Sequence, residues 1–207
     1  KYGEDQILVD AAISGLAGLE PAALTHVLHS KVPQAKASDS LTMLAAAIAK
    51  SKSESDAQQI FQHVSDASVP AWSRLALLSG FNTGLSGPAS ARGGGRPGGP
   101  AGAGRLTLKA EPPTLTALAK ESDNDIVTGC LIALAKIGDA PSESGESPFE
   151  AVIARFLADK NQEISETAAV ALGILANPRS IDTLKDLLED NPRGRALVRQ
   201  SEVDNRR

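Results

Sequence analysis

Ile126-Val-Thr-Gly-Cys-Leu-Ile-Ala-Leu-Ala-Lys-Ile137 and Ile164-Ser-Glu-Thr-Ala-Ala-Val-Ala-Leu-Gly-Ile-Leu175 spell nearly the same pattern twice. With Leu134 set on Leu172, Ala133 pairs with Ala171, Cys130 with Ala168, Ile126 with Ile164 and Ile137 with Leu175. The spacing i, i+4, i+8, i+11 marks one face of an α-helix. A single helix cannot bury such a face alone, whereas repeated units bury it by stacking on their neighbours, so the pattern predicts a helical solenoid.

The same frame extends upstream through Leu8, Ala12, Leu16 and Leu19, and more loosely through Ser40, Leu44, Ile48 and Val69, Leu77, Gly80. Five first helices are therefore expected. Their partner helices open on Glu20-Pro21, Pro112-Pro113, Ser147-Pro148 and Asn177-Pro178, and the remaining one spans Asp56 to Val64. Proline suits the first helical turn, where its missing N–H would have no partner anyway. Ser147 followed by Glu150 predicts a capping box.

Leu16, Ile48, Leu77, Leu134 and Leu172 stand 32, 29, 57 and 38 residues apart. Against a unit of about 30 residues, the third repeat carries about 27 extra residues and the fourth about 8. Both extras fall between the first and second helix of a repeat, which puts them on the same edge of a stack. The larger, residues 84–111, is rich in Gly and Pro and holds Arg92, Arg96 and Arg105. It has nothing to bury and high backbone entropy, so a mobile loop is expected. Leu106-Thr-Leu108 alternates and predicts an extended return to the stack. The smaller insertion, Asp139 to Gly145, reads as an exposed loop.

The expected fold is thus an all-α, right-handed α–α superhelix of about five helix pairs, one domain over 1–207 with a long Gly/Pro-rich insertion. Residues 192–207 hold five arginines, Arg193 and Arg195 among them. They read as a basic tail or the start of a truncated capping helix.

The 207 residues are 42% hydrophobic but only 3% aromatic, so the core is aliphatic. Twenty-one basic against 25 acidic residues, a net charge of -4, argue against a dedicated nucleic-acid binder. The single cysteine, Cys130, excludes an intrachain disulfide framework and sits on the apolar stripe. No apolar run approaches the roughly 18 to 20 residues that cross a bilayer, so no membrane insertion is expected. The first residue is Lys rather than Met, which is compatible with a fragment or a processed product.

No constellation for catalysis emerges. Gly99-Pro-Ala-Gly-Ala-Gly104-Arg105 spaces glycines somewhat as a phosphate-binding loop does, but it lacks the Lys and Ser/Thr that hold phosphate and magnesium. His26 and His29 share a helix, yet the third histidine, His63, is a repeat away, and zinc needs three or four ligands. There is no Gly-x-Ser-x-Gly elbow, and Cys130 has no histidine beside it in sequence. No metal, cofactor or catalytic residue is expected. Trp72, the only tryptophan, reads either as a lid over the gap between repeats or as an exposed anchor on a binding surface. The candidate partner-binding residues are Trp72, Arg92, Arg96, Arg105, Arg193 and Arg195. Lys120, Lys136, Lys160 and Lys185 are further possible surface contacts.

Alternating helices with Ala/Leu spacing, the turn Asn177-Pro178-Arg179, and Asp or Asn at the repeat boundaries (Asp123 to Asp125, Asp159 to Asn161) resemble HEAT repeats of the short bacterial kind. A narrower likeness lies in Val9-Asp-Ala-Ala-Ile-Ser-Gly-Leu-Ala-Gly18, Ala71-Trp-Ser-Arg-Leu-Ala-Leu-Leu-Ser-Gly80 and the Gly-rich stretch leading into Leu106-Thr-Leu108. It is similar to the helical repeat region of large planctomycete-type multidomain proteins, between a dehydrogenase domain and a c-type haem domain. That likeness implies an exported, periplasm-like location and a connector role in electron transfer; without it, a cytoplasmic location is expected. The chain itself has no Cys-x-x-Cys-His haem site, so a haem domain would be a partner only within a larger protein. The expected function is a non-catalytic scaffold that binds another protein, with the connector of a multidomain dehydrogenase/cytochrome c protein as the alternative.

Overall fold

The computed structural model describes residues 11–30, 33–86, 106–108, 112, 114–138 and 147–198. After a helical stretch at residues 11–14, ten helices follow in order among the described residues: α1 (Glu20–His29), α2 (Gln34–Ser51), α3 (Glu54–Ser65), α4 (Ala71–Leu85), α5 (Thr114–Ala117), α6 (Asn124–Ile137), α7 (Pro148–Arg155), α8 (Gln162–Leu175), α9 (Ser180–Leu188) and α10 (Pro192–Leu197). Short 3-10 turns extend α5 over Leu118–Lys120 and α7 over Phe156–Ala158. Apart from an isolated bridge at Leu108, all regular structure among the described residues is helical. The chain has an all-α helical-repeat fold.

The polar residues at the repeat boundaries start the helices. Asp123 accepts hydrogen bonds from the Asp125 and Ile126 amides (3.1 and 3.3 Å), and Asn161 accepts from the Glu163 amide (2.9 Å). Each satisfies N–H groups that the first helical turn leaves without an internal partner. Lys52 and Ala176, both with φ near +57°, close α2 and α8 in the left-handed conformation.

The chain divides into two compact units, Lys1–Leu106 with Pro112–Ala117, and Thr107–Glu111 with Leu118–Arg207. In the first, α2 lies along α4. Their buried faces carry Leu41, Leu44, Ala45 and Ile48 on one side and Leu77, Leu78 and Phe81 on the other. Phe61 of α3 meets Phe81 edge-on, with ring centroids 5.6 Å apart at 75°, the arrangement an aromatic quadrupole favours. Thr42 Oγ1 donates across the α2–α4 contact to the Ala76 carbonyl at 3.3 Å. In the second unit α6 lies along α8, and the two matched stretches supply Ile126, Cys130, Leu134, Ile137 and Ile164, Ala168, Leu172, Leu175 to its core.

Three local features depart from the sequence expectation. Residues 11–14 are helical but 15–18 form a turn, with Gly18 at φ +84°, so Leu16 and Leu19 do not continue a helical stripe, and Leu19 is exposed. Helix α4 runs through Gly84 to Leu85, because Gly84 packs on the backbone of Ala46 in α2 rather than opening the insertion. The capping box at α7 is half realised. Ser147 accepts from the Glu150 amide (3.0 Å), but the Glu150 carboxylate turns to the next repeat instead of back to Ser147.

Candidate interaction surface

Each candidate partner-binding residue takes its setting from the element beneath it. Trp72 is the second residue of α4, where the chain leaves Pro70, and it is half-buried. Arg74, on the same helix, is only 7% exposed. Its Nε donates to the Val64 carbonyl at 2.6 Å. That carbonyl lies in the last turn of α3, where helical C=O groups run out of internal donors and a cation meets the negative end of the dipole. Arg74 is thus a structural clasp between α3 and α4.

Arg193 and Arg195 lie together on α10 in the second unit, both exposed. Asn191 caps this helix by accepting from the Arg193 and Gly194 amides (3.0 and 2.9 Å), while its Nδ2 donates to Asp186 Oδ1 at 2.7 Å. Arg195 Nε donates to both the backbone and side-chain oxygens of Asp190 (2.9 and 3.1 Å). The pair is exposed on both sides, so it contributes at most about 1 kcal/mol. Arg92, Arg96 and Arg105 lie outside the described residues.

The four lysines differ in setting. Lys120, Lys160 and Lys185 are exposed, while Lys136 is half-buried, and that burial lowers its pKa. His29 Nδ1 lies 2.7 Å from the Thr25 carbonyl, a hydrogen bond that places the proton on Nδ1. No group of three or more His, Cys, Asp or Glu suited to a metal occurs among the described residues.

Sequence reading missed a contact at the base of the insertions. Leu106 and Leu108 are buried, and the Leu108 amide donates to the Gly138 carbonyl at 3.3 Å. Leu108 ends the described return from the first insertion, and Gly138 is the last described residue before the second. The alternation Leu-Thr-Leu was the only signal of this contact.

Consecutive repeats in the second unit are held by more than apolar faces. Glu150 of α7 accepts from Asn177 Nδ2 and Ser180 Oγ, both at 2.6 Å, spanning to the start of α9. Ser165 Oγ of α8 donates to the Leu157 carbonyl at 2.7 Å. Residues 112–202 match the sequence profile of HEAT repeats. That second half of the chain is similar to HEAT repeats. Curated proteins and solved structures give no match. HEAT repeats serve generally as interaction and scaffolding modules, and no described helix here is long and apolar enough to cross a membrane.

Proposed function

We propose that this protein is a non-catalytic interaction scaffold, with a protein partner recognised along the edge where both insertions are rooted. The Leu108–Gly138 hydrogen bond is the observation that carries this reading, because it ties the base of the long insertion to the base of the short one. A stack of helices presents extended surface without a deep pocket, which suits an extended polypeptide ligand better than a small substrate. Arg92, Arg96 and Arg105 of the long insertion favour an acidic segment on the partner. Ordering such a glycine-rich stretch on a partner costs backbone entropy, so binding would be modest in affinity and easily reversed.

The test is co-purification from the native source with the intact chain and with a chain lacking residues 87–105 but keeping Leu106 and Leu108. Loss of a partner on deletion, with the unfolding temperature unchanged, supports the reading. An identical set of partners with and without the segment refutes it and turns attention to the helical faces.

A further inference from the structure

We propose that His29 of α1 and His63 of α3 form a proton-operated latch, closed while both rings are neutral and released when they take up protons. The chain has only three histidines, and His63 stands a repeat away from His26 and His29 in sequence. In a stack, one repeat away means the neighbouring helix. Helices α1 and α3 are the second helices of the first two repeats, and two side-chain pairs link them at the same offset of 34 residues: Thr25 with Gln59, and His29 with His63. The first pair is a hydrogen bond, in which Gln59 Nε2 donates to Thr25 Oγ1 at 3.0 Å. One turn further along both helices, the second pair places two imidazoles within electrostatic reach of each other.

This second pair suits neutral rings only. His29 Nδ1 already commits its proton to the Thr25 carbonyl at 2.7 Å, so Thr25 serves one pair with its hydroxyl and the other with its backbone. His63 Nε2 is enclosed and has no hydrogen-bond partner among the described residues. A neutral ring can leave a lone pair there at modest cost, but a protonated ring must put a charged N–H donor into the same enclosed place. A charge on His29 would then face it across the helix contact. Burial, and after it His29, lower the His63 pKa in line with this geometry, while Asp66 raises it.

The other charged groups around His63 leave that balance standing. Asp66 favours the protonated ring, but its carboxylate also accepts from the Ser68 amide at 2.8 Å and is acted on by Arg74 of α4. Lys36, Asp39 and Lys50 of α2 are exposed, and α5 carries no titratable side chain. On α1, Glu20 lies in the first turn and exposed His26 stands three residues before His29; on α3, Glu54 and Asp56 lie in the first turn, at the far end from His63. Helix α1 packs chiefly on α2, and the two side-chain pairs tie it to α3. Protonation therefore parts α1 from α3 at the His29 end and widens the groove between these second helices, without dismantling the α2–α4 contact. The inference is independent of the insertions and of any protein partner.

Hydrogen–deuterium exchange of the full chain, followed by mass spectrometry from about pH 7.5 to about pH 5.5 and corrected for the intrinsic exchange rate, tests it. Protection of the α1 amides is expected to fall severalfold across that range while α2 and α4 keep theirs. His63→Gln should flatten the pH dependence of α1. His29→Gln, at an exposed position, should reduce it with the helical circular-dichroism spectrum unchanged. Protection of α1 that ignores pH, parallel loss in α1 and α2, or a pH dependence that His29→Gln leaves unaltered overturns the proposal.

Discussion

Gly80 of α4 rests directly on the backbone of Thr42 in α2, so close that a methyl group on Gly80 would be driven into the Thr42 carbonyl. One turn on, a Cβ at Gly84 would meet the Ala46 carbonyl and stand 2.7 Å from Ala49 Cβ. The pair, spaced i, i+4, lets the two helices approach to backbone contact. Gly80→Ala gains helix propensity of about 1 kcal/mol but forces α2 and α4 apart, and overpacking against backbone costs about 3 kcal/mol. A net loss of about 2 kcal/mol is expected in urea unfolding followed by the fluorescence of Trp72, which sits on the same helix. Gly173→Ala in α8, where space is open, should instead stabilise by roughly 1 kcal/mol when measured at dilution.

Glu150 should prove the most sensitive polar residue of the second unit. Its two oxygens are each committed, one to Asn177 and one to Ser180. Glu150→Ala strands a buried Ser180 hydroxyl and is expected to cost about 2 kcal/mol. In a double-mutant cycle with Ser180→Ala, the coupling should reach about 1 kcal/mol. Additive losses in chemical unfolding would show that the two residues act separately.

How much of this was legible beforehand depends on what each residue's environment is made of. Ile126, Cys130, Leu134 and their counterparts announced their burial because helical period and apolarity are local properties of the chain. Asp123 and Asn161 were visible as boundary residues for the same reason, since a cap satisfies amides only two or three positions away. Arg74 gave no such signal: a buried guanidinium is decided by the Val64 carbonyl ten residues earlier, and only the packing of α3 on α4 brings the two together. Glu150 misled, because the capping box and the bridge to the next repeat compete for one carboxylate and tertiary contact prevailed. Of the six candidate binding residues, Trp72 lies at the start of α4, while Arg193 and Arg195, read as part of a basic tail or of a truncated capping helix, lie on α10, and nothing in their spacing disclosed that Arg195 is engaged by Asp190.

Arg74 offers a direct check on the clasp between α3 and α4. Arg74→Met keeps much of the buried stem and removes every donor, leaving the Val64 carbonyl without its charged partner. A loss of about 2 kcal/mol is expected, the range for hydrogen bonds to charged groups. Arg74→Lys should restore little, since a single ammonium cannot reproduce the directed Nε–H bond. Equal stability of Arg74→Lys and the parent in thermal unfolding would mean that charge alone suffices.

Acid should weaken the first unit through His63. This histidine is half-buried at the C-terminal end of α3, and its Nε2 is enclosed without a hydrogen-bond partner. Burial lowers its pKa below the ordinary 6.5, the neighbouring His29 of α1 lowers it further, and Asp66 opposes both. Arg74 of α4 in turn acts on Asp66. A base whose folded pKa is depressed binds fewer protons folded than unfolded, so its contribution is complete above 6.5 and declines as the pH falls through that value towards the folded pKa. Asp66 behaves in the opposite chemical sense but the same direction: hydrogen bonds from Ser68 hold its carboxyl below the ordinary carboxylate value, so its loss comes only in stronger acid. Unfolding midpoints read by Trp72 fluorescence should therefore fall in two separate steps. His63→Gln should abolish the step near neutrality and leave the acid step in place; persistence of the first step in that variant would assign it to another group.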